Sequence, residues 1–116
     1  NKQRLTRYVR AVDSAGCRLL FEPRGKWADR DIEEVCRAGG LIHATDPLTR
    51  PPVTGGIRYY RLHGVTGYYH RYTAEELGRL GSMLAAGTGN YCFFNNVNMF
   101  EDARAFARLI GTPADC

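Results

Sequence analysis

Four short apolar runs, separated mostly by segments of helical periodicity, constrain this chain more than any other feature. They are Leu19-Leu20-Phe21 within 18–22, Leu41 to Thr45, Ile57 to Leu62, and Tyr91 to Phe94. Runs of this length suit buried strands. Strands that alternate with helices are joined by right-handed crossovers into a parallel sheet. The element order reads α-β-α-β-α-β-α-β-α, an α/β fold without internal repeat, low-complexity segment or linker.

The helical segments carry their own signals. Residues 2–15 place Leu5, Tyr8, Val9 and Val12 on one face, with Gly16 as a stop. Asp29 is placed to cap a second helix whose apolar side is Ile32, Val35 and Cys36, closed by Gly39-Gly40. From Pro47 to Gly56 the Pro/Thr/Gly-rich stretch, with Pro51-Pro52, forbids regular structure. A glycine- and tyrosine-rich loop spans 63–72. Thr73-Ala74-Glu75-Glu76 fits a capping box for a helix burying Leu77, Leu80 and Leu84, in which Gly78 and Gly81 each cost about 1 kcal/mol. Asn98 is placed to cap a last helix carrying Phe100, Ala103, Phe106, Ala107 and Ile110, closed by Gly111 and Pro113.

The 116 residues make one domain, residues 1–116. A complete (β/α)8 barrel needs about 250 residues, so a chain of this size supplies half of one at most. No apolar run approaches the roughly 18 residues of a membrane helix, and Asn1-Lys2-Gln3-Arg4 lacks the apolar stretch of a signal peptide. Cys17, Cys36, Cys92 and Cys116 form no C-x-x-C pair and have no His at metal-ligand spacing. Cys36 and Cys92 read as small core residues, and the expected compartment is the reducing cytosol.

In parallel α/β folds ligands bind at the carboxyl ends of the strands. Here those ends are Glu22-Pro23-Arg24 with Trp27 just beyond, Thr45-Asp46, Arg61-Leu62-His63-Gly64, and Asn95-Asn96. Each delivers a polar or ionisable group to the same rim. Glu22 and Arg24 are two apart, as are Arg61 and His63, so each pair shares a face. Arg beside a carboxylate clamps an anion and holds the acid ionised. His63 suits acid, base or ligand chemistry, and the two Asn amides suit orientation. Glu22 with Arg61 reads equally as a structural pair, and Trp27 as a plug at the end of the barrel. A metal set of Glu22, Asp46 and His63 has no ligand-spacing signature. His43, mid-strand, reads as a core histidine, and His70 as a solvated loop residue.

Charge adds a second candidate surface. The chain carries a formal +4, and only Lys2 and Lys26 among its cations are lysine. No acid occurs from Pro47 to Ala74, where Arg50, Arg58, Arg61 and Arg71 are interleaved with Tyr59, Tyr60, Tyr68, Tyr69 and Tyr72. Such a loop suits phosphate or stacked bases, with Arg50, Arg58, Tyr68, Tyr69 and Arg71 as its contacts. No G-x-S-x-G, Walker loop or G-x-G-x-x-G occurs, and Gly87-Thr88-Gly89-Asn90 precedes a strand rather than a helix. No cofactor is assigned.

Glu22-Pro23-Arg24-Gly25-Lys26-Trp27 resembles the E-x-R-x-x-x-W segment of the YecE-like family, domain of unknown function 72. Asp46, Tyr60-Arg61-Leu62-His63-Gly64, Tyr72-Thr73 with Glu76-Leu77, and Phe93-Phe94-Asn95-Asn96 follow in the family's order. The resemblance covers residues 19–110 and corresponds to the carboxyl-terminal half of the family. It implies half of a TIM-like (β/α) barrel with a site at the strand ends, and no particular reaction. A half barrel exposes two edges and an apolar inner face, so it implies pairing with itself or with a separate amino-terminal half-barrel chain.

Three functions compete. One is an enzyme acting on an anionic, phosphorylated substrate, with Glu22 and His63 in acid/base roles and Arg24, Trp27, Asp46, Arg61, Asn95 and Asn96 binding it. Another is a non-catalytic module for nucleic acid or a ribonucleoprotein. The third is a structural subunit that completes a split barrel.

Overall fold

The computed structural model describes residues 2–111. Its elements run α1 (Lys2–Ala11), β1 (Leu20–Phe21), α2 (Asp29–Gly39), β2 (Ile42–Thr45), β3 (Arg58–Leu62), α3 (Ala74–Ser82), β4 (Asn90–Phe94) and α4 (Met99–Leu109). The four strands form one parallel sheet in the order β1-β2-β3-β4. As the Pro/Thr/Gly-rich stretch from Pro47 to Gly56 leads one to expect, no helix joins β2 to β3, and the α-β alternation is interrupted there once. Pro51-Pro52 removes two backbone donors there, and the connection crosses as an irregular loop.

Two further boundaries differ for local reasons. α1 stops at Ala11 rather than near residue 15, because the Asp13 carboxylate accepts the Ala15 amide at 2.9 Å and the chain turns through Ala15 and Gly16 at φ 51° and 82°. α2 is capped by Ala28 without a side-chain bond, and Asp29 is its first helical residue. Asp29 instead lies 3.4 Å from Arg50 Nε. The Thr73–Glu76 capping box forms in both directions. Asn98 occupies the cap of α4 but makes no capping bond; its amide donates to Asp102 Oδ1 at 2.9 Å. Pro113 lies outside the described residues.

The register assigns side chains to two faces. Phe21, Tyr60 and Leu62 belong to one face. There Tyr60 and Leu62 pack with Leu77, Leu80 and Phe106 of α3 and α4. Phe21 and Trp27 pack against Ile32, Val35 and Cys36 of α2, joined by Leu5 and Val9 of α1. Tyr60 also donates its hydroxyl to the Met83 carbonyl at 2.7 Å, which ties β3 to the end of α3. On the opposite face Leu20, Tyr91 and Phe93 are 41%, 50% and 47% exposed. Tyr59 lies between Tyr91 and Phe93, its ring centroid 6.1 and 5.1 Å from theirs. Among the described residues no helix is long and apolar enough to cross a membrane.

Candidate functional site

The sheet brings the ends of β1, β2 and β3 together. β1 leaves β2 after the Phe21–His43 pair, and a cleft of about 280 Å³ opens there, lined by Glu22 to Gly25, His43 to Asp46, Thr49, Arg50 and His63. Ala44 contributes only a methyl group between β1 and β3, so Glu22 reaches across β2 to residues of β3.

Glu22 is the hub. Its Oε1 accepts from Arg61 Nη1 at 2.7 Å and lies 3.7 Å from Arg24 Nη2, while Oε2 lies 3.1 Å from His63 Nε2. Burial opposes the charge on Glu22. The hydrogen bond from His63 and the nearby charges of Arg61 and Arg24 outweigh it and hold the carboxyl below its ordinary range. With Glu22 ionised, the neutral His63 tautomer has its proton on Nε2, leaving the Nδ1 lone pair without a bond among the described residues. Arg24 is 82% exposed at the mouth, its guanidinium largely uncommitted.

Asp46 acts on this cluster through the backbone. Its Oδ2 accepts the His63 amide at 3.1 Å and its Oδ1 the Leu48 amide at 3.1 Å. Both oxygens are therefore engaged in fixing the end of β2 against the start of the 63–72 loop.

The remaining candidates lie elsewhere. Trp27 meets Phe21 edge-on at 5.3 Å within the α2 core cluster. Asn95 is exposed, and its backbone amide donates to the Leu62 carbonyl at 2.7 Å. Asn96 is fully buried and donates to the His70 carbonyl and to Asp102 Oδ2, both at 2.8 Å. Of the basic set, Arg50 donates to the Trp27 carbonyl at 2.7 Å and Arg58 to the Thr54 carbonyl at 2.5 Å, so both brace loops. Tyr68, Tyr69 and Arg71 remain exposed.

Two histidines depart from or refine their sequence reading. His70 is not a solvated residue: its side chain is 14% exposed, with Nε2 2.8 Å from Glu76 Oε1 and Nδ1 3.1 Å from Thr66 Oγ1. His43 is a core residue, 1% exposed, whose Nδ1 accepts the Val53 amide at 3.2 Å. Its proton is thus on Nε2, which has no partner among the described residues. Burial, aided by the Arg50 charge, pushes its pKa down and keeps the ring neutral.

Sequence reasoning did not identify Asp102, whose buried carboxylate also accepts the Tyr72 amide at 3.2 Å. The one available signal was its place four residues after Asn98 on a helix. Among the described residues no group of three or more His, Cys, Asp or Glu is placed to hold a metal ion. A larger groove, about 440 Å³, runs between α1 and α2, but its Lys2 is bound to Asp31 and Glu34 at 3.1 and 2.7 Å. No family model, curated protein or solved structure matches the chain.

Proposed function

We propose that the Glu22–His63 pair is an acid/base site for an anionic, phosphorylated substrate. The observation that carries this reading is the single carboxylate shared by Arg61 and His63 at the wall of a cleft. Glu22 stays ionised, orients the imidazole and stabilises the imidazolium once it forms. His63 takes or returns the proton at Nδ1. Arg24 attracts the substrate's negative charge, and Arg61 and Asp46 hold Glu22 and His63 in place. The bonds of Asn95, Asn96 and Trp27 support positioning roles for them, outside direct contact with the substrate.

The same reading includes the YecE-like resemblance and a half-barrel architecture. A sheet in sequential order whose helical layer covers one face, with Leu20, Tyr91 and Phe93 half exposed on the other, supports closure by further parallel strands, from a second copy or a separate amino-terminal half.

The test is a titration of histidine-labelled protein with inorganic phosphate, followed by NMR. The His63 ring resonances are expected to shift and saturate, and Arg24→Ala to weaken the response with the fold intact. A His63 ring indifferent to phosphate overturns the assignment.

A further inference from the structure

We propose that a second copy of this chain closes the sheet, with β4 and α4 of each copy set against β1 and α1 of the other about a two-fold axis; this rests on the half-barrel reading above. The molecule is a slab of 41 × 29 × 20 Å, and its short dimension spans one helical layer and one sheet. Its accessible surface is 7502 Å², against about 6,300 Å² for a compact monomer of 13.0 kDa. The difference is about 1,200 Å² on each copy, hence about 2,400 Å² for a pair, above the roughly 1,200–2,000 Å² of a stable interface.

Apolar surface is open on the uncovered sheet face and at both of its edges. On the face, a groove of about 190 Å³ runs among Leu20, Ile42, Ile57, Tyr59 and Tyr91. At the β1 edge, Leu5 and Val9 of α1 join the α2 core, while Tyr8 and Val12 of the same helix are 68% and 36% exposed. They line an apolar groove of about 280 Å³ with Leu19, Leu20 and Phe21. At the β4 edge, α4 meets the α3 core through Ala105 and Phe106. Helical spacing puts Phe100, Ala103 and Ala107 on the flank opposite Ala105. Phe100 is 67% exposed there, with the Arg104 guanidinium 5.4 Å from its ring centroid. Each copy therefore carries a groove at one edge and an aromatic ridge at the other. A single two-fold rotation seats both ridges in both grooves, whereas a chain of different sequence must match each edge separately. Doubling four strands and four helices gives eight of each, the strand number at which side chains just fill a parallel barrel.

The experiment is sedimentation velocity. The wild type is expected at about 26 kDa, twice the chain's 13.0 kDa. Phe100→Glu and Tyr8→Lys, both at exposed positions, are each expected to sediment as monomers with unchanged circular dichroism. Mixed together they are expected to regain the pair, because one contact is then native and the other joins an acid to a base. Phe93→Glu, on the open face, is expected to dissociate it as well. A monomeric wild type, dissociation by only one of the two flank variants, or no recovery on mixing overturns the two-fold pairing and leaves closure by a separate chain standing. Flank variants that dissociate while Phe93→Glu pairs like the wild type overturn the half-barrel reading together with this proposal.

Discussion

Glu22 and His63, 41 positions apart, meet with Oε2 and Nε2 separated by 3.1 Å across the end of a strand that belongs to neither. The contact depends on three things together: β1 ending after two residues, a methyl side chain at Ala44, and the Asp46 carboxylate gripping the His63 amide. Loss of the Asp46 carboxylate or enlargement of Ala44 is expected to disturb the pair without touching either member.

Glu22→Gln tests the electrostatics of this pair. The folded carboxyl is held below its ordinary value, so its contribution to stability is complete above the unfolded pKa, about 4.3. It is lost as pH falls through the folded value. Urea unfolding at neutral pH is expected to show the wild type about 1 kcal/mol more stable than the variant. The gap is expected to close in strong acid. A gap that persists there would mean that shape, not charge, accounts for it.

Asp102→Ala is expected to destabilise by about 3 kcal/mol, because it orphans the buried Tyr72 amide and takes one acceptor from each of the Asn96 and Asn98 side-chain amides. Asp102→Asn retains an acceptor and should cost less. Thermal melts ranking the two variants the other way would contradict the network.

Gly64→Ala places a Cβ against the Gly67 carbonyl oxygen at a φ of 95°. A loss of about 2 kcal/mol or more is expected, with the loop displaced from His63. Gly78→Ala, in the exposed interior of α3 with nothing within 4 Å of the new methyl, is expected to stabilise by up to about 1 kcal/mol. Denaturant midpoints moving in opposite directions would bear out both.

Cysteine alkylation should be selective. Burial pushes the thiols of Cys36 and Cys92 up to about 11, whereas Cys17 is exposed. Brief iodoacetamide treatment of the native protein at pH 8 is expected to modify Cys17 well before Cys36 or Cys92, as read by peptide mass spectrometry. Early labelling of Cys36 would show that the α2 core opens readily.

Periodicity made the strands, the Thr73 capping box and the α2 and α3 core faces legible, because each depends on residues a few positions apart. Local competition was harder to read: Asp13 ends α1 early, and Asp29 leaves its cap for Arg50, since a short carboxylate takes whichever donor the fold brings nearest. The candidate site was legible as a set of strand ends. Its division into parts was not, because that depends on register.

The sequence by itself determined the parallel α/β class, the polar character of the strand ends and the absence of acids from the segment 47–74 that carries His63. Only the tertiary structure decided that Glu22, Arg61 and His63 meet while Asn96 joins Asp102, that Asp46 binds amides, and that His70 is enclosed. The reason is geometric. Side-chain periodicity shows which face a residue occupies, but partners at separations such as 41 residues are chosen by strand order, register and the one small residue that lets two long side chains pass.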